Sequence, residues 1–268
     1  MNSVERKTLL YRSGVEYADY CINHIQGCAH GCRFPCYAML LKKRAGIIKG
    51  YEDWIQPKIV SNALELLERE LPNHRKHIRY VFLTFSSDPF MFNHPEVSAL
   101  TLRLMERLNR DGIRCVTLTK GLYPKELADT QRYSVQNEYG ITLISLSEHF
   151  RKRYEPHTAA YRARIESLKL LHQHGLKTWV SIEPYPTPNM IQQNLPTILE
   201  EVTFVDKIIF GRLNYNPVSS RNSFPQVSAF YDGCARAVAN FCGRHGIRCH
   251  IKKGTTGVRT SRPPNVFA

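Results

Sequence analysis

From residue 79 to residue 253 the chain repeats one pattern. A short run of β-branched and apolar residues is followed by a longer stretch with apolar side chains at helical spacing. "RYVFLTF" (79–85) precedes "PEVSALTLRLMERLNRDG", where Leu100, Leu104 and Leu108 share a helical face and Gly112 is a stop signal. "IRCVTLT" (113–119) precedes "YPKELADTQRYSVQN", "ITLISLS" (141–147) precedes "HTAAYRARIESLKLLHQHG", and "LKTWVSI" (176–182) precedes "MIQQNLPTILEEV". "DKIIFG" (206–211) with "FPQVSAFYDGCARAVANFCGRHG", then "IRCHIKK" (247–253), complete the series. An earlier strand is expected within "VEYADYCINHI" (15–25), with the first long helix in "KIVSNALELLERELP" (58–72). Strands alternating with helices of this length imply parallel βαβ units with right-handed crossovers. The pattern predicts an α/β fold: a partial, (βα)6-type parallel barrel whose functional loops lie at the C-terminal ends of the strands. No linker interrupts it, so residues 1–268 read as a single domain.

Just after the first expected strand, "GCAHGCRFPCYA" (27–38) places Cys28, Cys32 and Cys36 within nine positions. The N-terminus lacks a basic start followed by an apolar run, and no apolar stretch is long enough to span a bilayer. The expectation is therefore a cytoplasmic chain without membrane association, whose eight cysteines are mostly reduced. That argues against disulfides. A structural zinc site wants four protein ligands, and His24, His30 and Cys21 are candidates for the fourth. A [4Fe–4S] cluster on three thiolates leaves one iron open for a substrate or cofactor. Buried cysteines also act as small hydrophobes, which suits Cys115, Cys234 and Cys242 better than three thiols in a loop containing glycine and proline.

The chain is strongly basic, with 37 Lys and Arg against 23 Asp and Glu and a net charge of +14. Clusters occur at Lys42 to Arg44, His74 to Arg79 and Arg151 to Arg153, and the segment 233–268 carries seven cations and no carboxylate. Such a field attracts polyanions, which makes nucleic acid a candidate partner. No recognition motif accompanies it, and the last segment has few aromatics for stacking on bases.

"GCAHGCRFPCYA" resembles the cluster loop of radical S-adenosylmethionine enzymes, particularly the branch that contains spore photoproduct lyase. The resemblance covers most of the chain. "KIVSNALELLEREL" is similar to the helix after that loop, "LTFSSDPF" with "HPE" to the second-strand segment, and "TLTKG" to the third-strand end. "YEPHTAAYRARIESLKLLHQHG" and "SIEPYPTP" resemble the branch's Glu-Pro…Arg helix and fifth-strand end. One departure stands out. The family's usual spacing is Cys-x3-Cys-x2-Cys, whereas here it is Cys-x3-Cys-x3-Cys, with Pro35 looking like an insertion after Phe34.

The resemblance implies a TIM-barrel-like radical SAM core that holds a [4Fe–4S] cluster on Cys28, Cys32 and Cys36. It implies S-adenosylmethionine as the other cofactor, a flavodoxin- or ferredoxin-like one-electron reductant (dithionite in vitro), and a lyase- or modification-type reaction on an unidentified substrate. Cofactor-binding roles then fall to Ser86, Ser87 and Asp88 at the second strand end, Lys120 at the third, and Ser145 and Ser147 on the fourth. Arg164 in the next helix and Glu183 at the fifth strand end complete that set. Asn214 and Tyr215 are expected to face substrate. Cys249 is the candidate hydrogen donor, although alternation puts it with Ile247 and Ile251 on an apolar face. The competing readings are a zinc-stabilised nucleic-acid-binding module without catalysis, and a radical enzyme acting on a peptide or small metabolite.

Overall fold

The computed structural model describes residues 1–257 and Phe267; the basic segment 233–268 thus lies partly outside the described residues. Seven strands run parallel in sequence order: β1 (Tyr20–Ile22), β2 (Tyr80–Leu83), β3 (Arg114–Thr119), β4 (Glu138–Thr142), β5 (Lys177–Tyr185), β6 (Lys207–Arg212) and β7 (Arg248–Ile251). Leu10–Arg12 adds an antiparallel edge beside β1, so among the described residues β7 and this short strand are the two edges of an open barrel. Helices cover the outer face: α1 (Ala63–His74), α2 (Pro95–Arg110), α3 (Tyr161–Gln173), α4 (Leu195–Glu200) and α5 (Val227–His245). Among the described residues no helix is long and apolar enough to cross a membrane.

The strands read as near-continuous apolar runs because both faces are buried. Alternation sends Val81, Leu83, Cys115, Tyr139, Ile141, Val180, Ile208 and Phe210 outward against helix residues such as Leu104, Leu108, Leu168 and Val238. It sends Tyr80, Phe82, Val116, Trp179 and Ile209 inward, where they pack with Tyr17 and Phe267. Gly140 is required here, because a Cβ on it would lie 2.2 Å from the Trp179 indole. α2 shows how the sequence builds the outer layer. Pro95 opens it, Val97, Thr101, Leu104, Met105 and Leu108 form its buried stripe, and Gly112 ends it at φ 72°.

Two expected elements differ. Residues 123–137 do not form a helix; only a 3-10 turn, Lys125–Ala128, is present. Asp, Thr, Ser and Asn crowd this stretch and favour turns. Tyr123 takes the covering role instead: its hydroxyl donates to Gly140 O (2.7 Å) and accepts from Gly140 N–H (2.8 Å). The fourth strand starts earlier than expected and ends at Thr142, so Ser145 and Ser147 are not on it. Ser145 Oγ accepts from Ser147 N–H (3.1 Å), and Ser147 caps the helix Glu148–Tyr154 by accepting from Phe150 N–H (3.2 Å).

Candidate active site

The loop after β1 is clamped at both ends. Ile25–Gln26 pairs with Lys58–Val60, which pairs in turn with Asn2–Val4, and this small second sheet fixes the approach to Gly27. Gly27 has φ 86°, and a Cβ there would meet Trp54 O at 2.7 Å. Its carbonyl accepts the Ser87 hydroxyl (2.5 Å), while Cys28 N–H donates to Trp54 O (2.8 Å). Farther along, Tyr51 donates to Gly31 O (3.0 Å) and Arg33 N–H to Tyr154 O (2.8 Å). Phe34 is buried beside Ile144, Phe150 and Leu213, and Cys36 is the N-cap residue of the helix Tyr37–Arg44. The extra residue, Pro35, is absorbed between these two anchors.

Cys28, Cys32 and Cys36 all line one cavity of about 400 Å³ at the C-terminal ends of the strands. Burial pushes the Cys28 thiol well up and the Cys32 thiol to about 12, so binding to a cation there releases protons. Among the described residues no three His, Cys, Asp or Glu side chains close around a single ion. A mononuclear zinc, with Zn–S near about 2.3 Å, needs that convergence. A [4Fe–4S] cluster takes each thiolate on a different iron, so three thiols lining one cavity fit it without meeting at a single point. The proposed fourth zinc ligands are also committed elsewhere. His24 Nε2 lies 2.7 Å from Thr101 Oγ1, and the Cys21 thiol meets the Tyr11 hydroxyl at 3.6 Å. His30 Nε2 accepts from Phe92 N–H (2.9 Å).

Three pairs of a nitrogen base and a carboxylate surround the thiols. His30 Nδ1 faces Asp88 Oδ2 (3.3 Å), and Asp88 also accepts from Thr119 Oγ1 (2.6 Å), Lys120 N–H (2.7 Å) and Phe90 N–H (3.0 Å). Burial pushes this carboxyl up, but these donors outweigh it and hold it below its ordinary range. Lys120 Nζ pairs with Glu155 Oε1 (2.8 Å), lies 3.7 Å from Cys32 Sγ and sits 4.9 Å from the Phe34 ring centre. Burial would lower this ammonium, yet Cys32 and Glu155 raise it. Glu155 Oε2 accepts from Arg164 (2.9 Å), and although burial opposes it, the two cations hold Glu155 at about 2. The third pair is Lys252 Nζ with Glu183 Oε1 (2.7 Å); a Cβ on Gly211 would strike Glu183 at 2.9 Å, so glycine there makes the room.

The cavity therefore gathers Ser87, Asp88, Lys120, Glu183, Asn214 and Tyr215 with the three cysteines. Other expected residues fall outside its lining. Arg164 is fully buried and binds Glu155, Thr158 Oγ1, Ala159 O and Thr142 O, so it positions neighbours rather than touching a ligand. Ser86 has a buried hydroxyl without a partner among the described residues, and its N–H donates to Asn23 Oδ1 (3.1 Å). Ser145 and Ser147 serve the turn described above. Cys249 pairs in register with outward-facing Ile208 and is exposed on the outer face near Cys242. It points away from the cavity and cannot donate hydrogen there. Residues that sequence reasoning missed are His30 as the Asp88 partner, Glu155, Arg212 and Lys252. Alternation along β7 gave the signal for Lys252, two positions beyond inward-facing His250.

Residues 22–201 match the family model of the radical SAM superfamily. Uncharacterized proteins of Acidianus two-tailed virus and of Methanocaldococcus jannaschii are each 24% identical, over 70% and 62% of this chain. The chain spans 64% and 60% of the length of those two relatives. A spore photoproduct lyase variant bound to AdoMet and dinucleoside spore photoproduct shares the fold at a TM-score of 0.67 and 12% identity, covering 93% of this chain and 80% of that one. A second spore photoproduct lyase structure, complexed with dinucleoside spore photoproduct, superposes at 0.66 and 13% identity, over 92% and 80%. With the family match extending from the end of β1 past α4, the chain belongs to the radical SAM superfamily of enzymes.

Proposed function

We propose that this protein holds a [4Fe–4S] cluster on Cys28, Cys32 and Cys36 and, with S-adenosylmethionine, abstracts hydrogen from a substrate in the same cavity. The observation that carries this reading is the meeting of three thiols from one loop with the strand-end residues Lys120, Glu183 and Arg212 around one cavity of about 400 Å³. When bound, the cluster supplies the electron that splits S-adenosylmethionine into methionine and a 5′-deoxyadenosyl radical. The chain's own residues hold, orient and exclude water. Lys120, fixed by Glu155, offers a cation for the methionine carboxylate. Glu183, held by Lys252, offers an acceptor for ribose or substrate hydroxyls. Asp88 has its oxygens taken by four donors and keeps the β2 and β3 ends together. The electron must come from a one-electron carrier of the flavodoxin or ferredoxin kind, or from dithionite in vitro.

The test is anaerobic reconstitution followed by dithionite and S-adenosylmethionine. Release of 5′-deoxyadenosine is expected. Release of S-adenosylhomocysteine alone, or a protein that takes up one zinc and no iron, refutes the reading and favours a zinc-stabilised binding module. Nucleic acid is the substrate class proposed first, supported by the net charge of +14 and by the dinucleoside held in the spore photoproduct lyase structures. Binding to DNA, RNA or tRNA should then weaken steeply with salt. Weak, salt-insensitive affinity for all three points to a peptide or small metabolite instead.

A further inference from the structure

Among the described residues four nitrogen bases line the cavity, and three of them are matched by a carboxylate. His30 faces Asp88 at 3.3 Å, Lys120 faces Glu155 at 2.8 Å and Lys252 faces Glu183 at 2.7 Å. Arg212, the last residue of β6, is the exception. Among the described residues no carboxylate pairs with it and no hydrogen bond uses its guanidinium, whose Nε is buried without a partner. Its guanidinium lies against the Tyr231 ring, whose centre is 5.4 Å from Cζ. An unpaired buried donor carries a desolvation cost, larger when charged, and a ligand that accepts from it removes that cost.

Arg212 lines the cavity from the end of its strand. Along β6, Ile209 packs inward, Phe210 packs outward, and the inward space at Gly211 is taken by Glu183. Strict alternation would turn Arg212 out towards the helices. Between Phe210 and Arg212, however, two steps along β6 match three along β5 (Ile182 to Tyr185), so the bulge lies in β5, where Glu183 and Pro184 line the cavity, and Arg212 lines it opposite them from the end of β6. Asn214 and Tyr215 follow directly and line the same cavity, with Tyr215 68% exposed.

We propose that Arg212 is a substrate-anchoring residue that pairs with an oxyanion, a phosphate or a carboxylate, on the molecule that enters the cavity. A guanidinium fork suits either group through two parallel hydrogen bonds. The inference rests on the reading of this cavity as the reaction chamber.

Phenyl phosphate and benzoate, which differ only in the anion, serve as probes. Each is titrated calorimetrically into the cluster-loaded full chain and into its Arg212→Gln and Arg212→Lys variants. Iron content and S-adenosylmethionine binding are measured on the same samples, so a failure of the cluster reading shows as missing iron whatever the anions do. At least one probe should bind the unaltered chain, at least tenfold more weakly the Gln variant, and to an intermediate degree the Lys variant. Preference for phenyl phosphate assigns a phosphate source, and preference for benzoate a carboxylate source. Equal affinities in the unaltered chain and the Gln variant, or no binding of either probe, overturn the proposal. So does a Gln variant that keeps its anion affinity and loses S-adenosylmethionine instead.

Discussion

Glu155→Gln is the substitution whose cost the structure fixes most closely. The carboxylate is fully buried, and its two oxygens contact different cations, Lys120 at 2.8 Å and Arg164 at 2.9 Å. A carboxyl held at about 2 instead of 4.5 contributes about 3 kcal/mol to folding at neutral pH, at roughly 1.36 kcal/mol per pH unit. Breaking a buried pair by removing one partner costs about 3–5 kcal/mol, because the other charge stays behind. The amide variant should therefore lose about 3–5 kcal/mol at pH 7. The sign with pH follows from a depressed carboxyl. The contribution is complete above about 4.5 and disappears as pH falls towards 2. Urea denaturation of the anaerobic, iron-free chain, followed by the fluorescence of Trp54 and Trp179, gives the difference at each pH. It should be largest at pH 7 and shrink below pH 4.5. A loss under about 1 kcal/mol at pH 7, the range of an exposed pair, would refute the reasoning, as would a difference that stays constant down to pH 3.

Three further outcomes are expected. Replacing Cys28, Cys32 and Cys36 by alanine should abolish iron and sulfide uptake while leaving the far-ultraviolet circular dichroism unchanged; retained iron would remove them as ligands. Gly211→Ala places a Cβ 2.9 Å from Glu183 and should cost about 1–3 kcal/mol through overpacking, whereas an unchanged melting temperature would show that Glu183 moves freely. His24 is buried against Thr101, and burial lowers its pKa to about 3. Its folded-state value lies below the unfolded one, so it subtracts stability as pH falls from 6.5 towards 3. Nuclear magnetic resonance should find the ring neutral at pH 5, and titration near 6.5 would contradict its assigned environment.

The strand order was legible because most barrel strands are apolar on both faces and α2, α3 and α5 each carry an apolar stripe and a glycine stop at Gly112, Gly175 and Gly246. The β3 to β4 crossover was not, because Tyr123 covers the strand through hydrogen bonds that no periodicity announces. The cysteine loop could be read directly, since three thiols in nine residues are a local signal. Arg164 shows the limit of helical spacing. Its position in α3 was clear, but its burial as counter-ion to Glu155 depends on the turn after Glu148–Tyr154 folding back onto it. Cys249 failed for a related reason: strand parity gives two faces but not which of them meets the cavity. Arg212 escaped parity because it is the last residue of β6: counting puts it with outward-facing Phe210, yet at the strand end it lines the cavity.

The central claim is that the three thiols hold an open-sited cluster rather than a single metal ion. Low-temperature electron paramagnetic resonance of the reconstituted, dithionite-reduced protein tests it, recorded before and after S-adenosylmethionine is added. The account predicts the signal of a reduced [4Fe–4S] cluster that changes shape when the co-substrate binds and that is lost in Cys32→Ala. A protein without any cluster signal, or with a signal indifferent to both S-adenosylmethionine and Cys32, would contradict it.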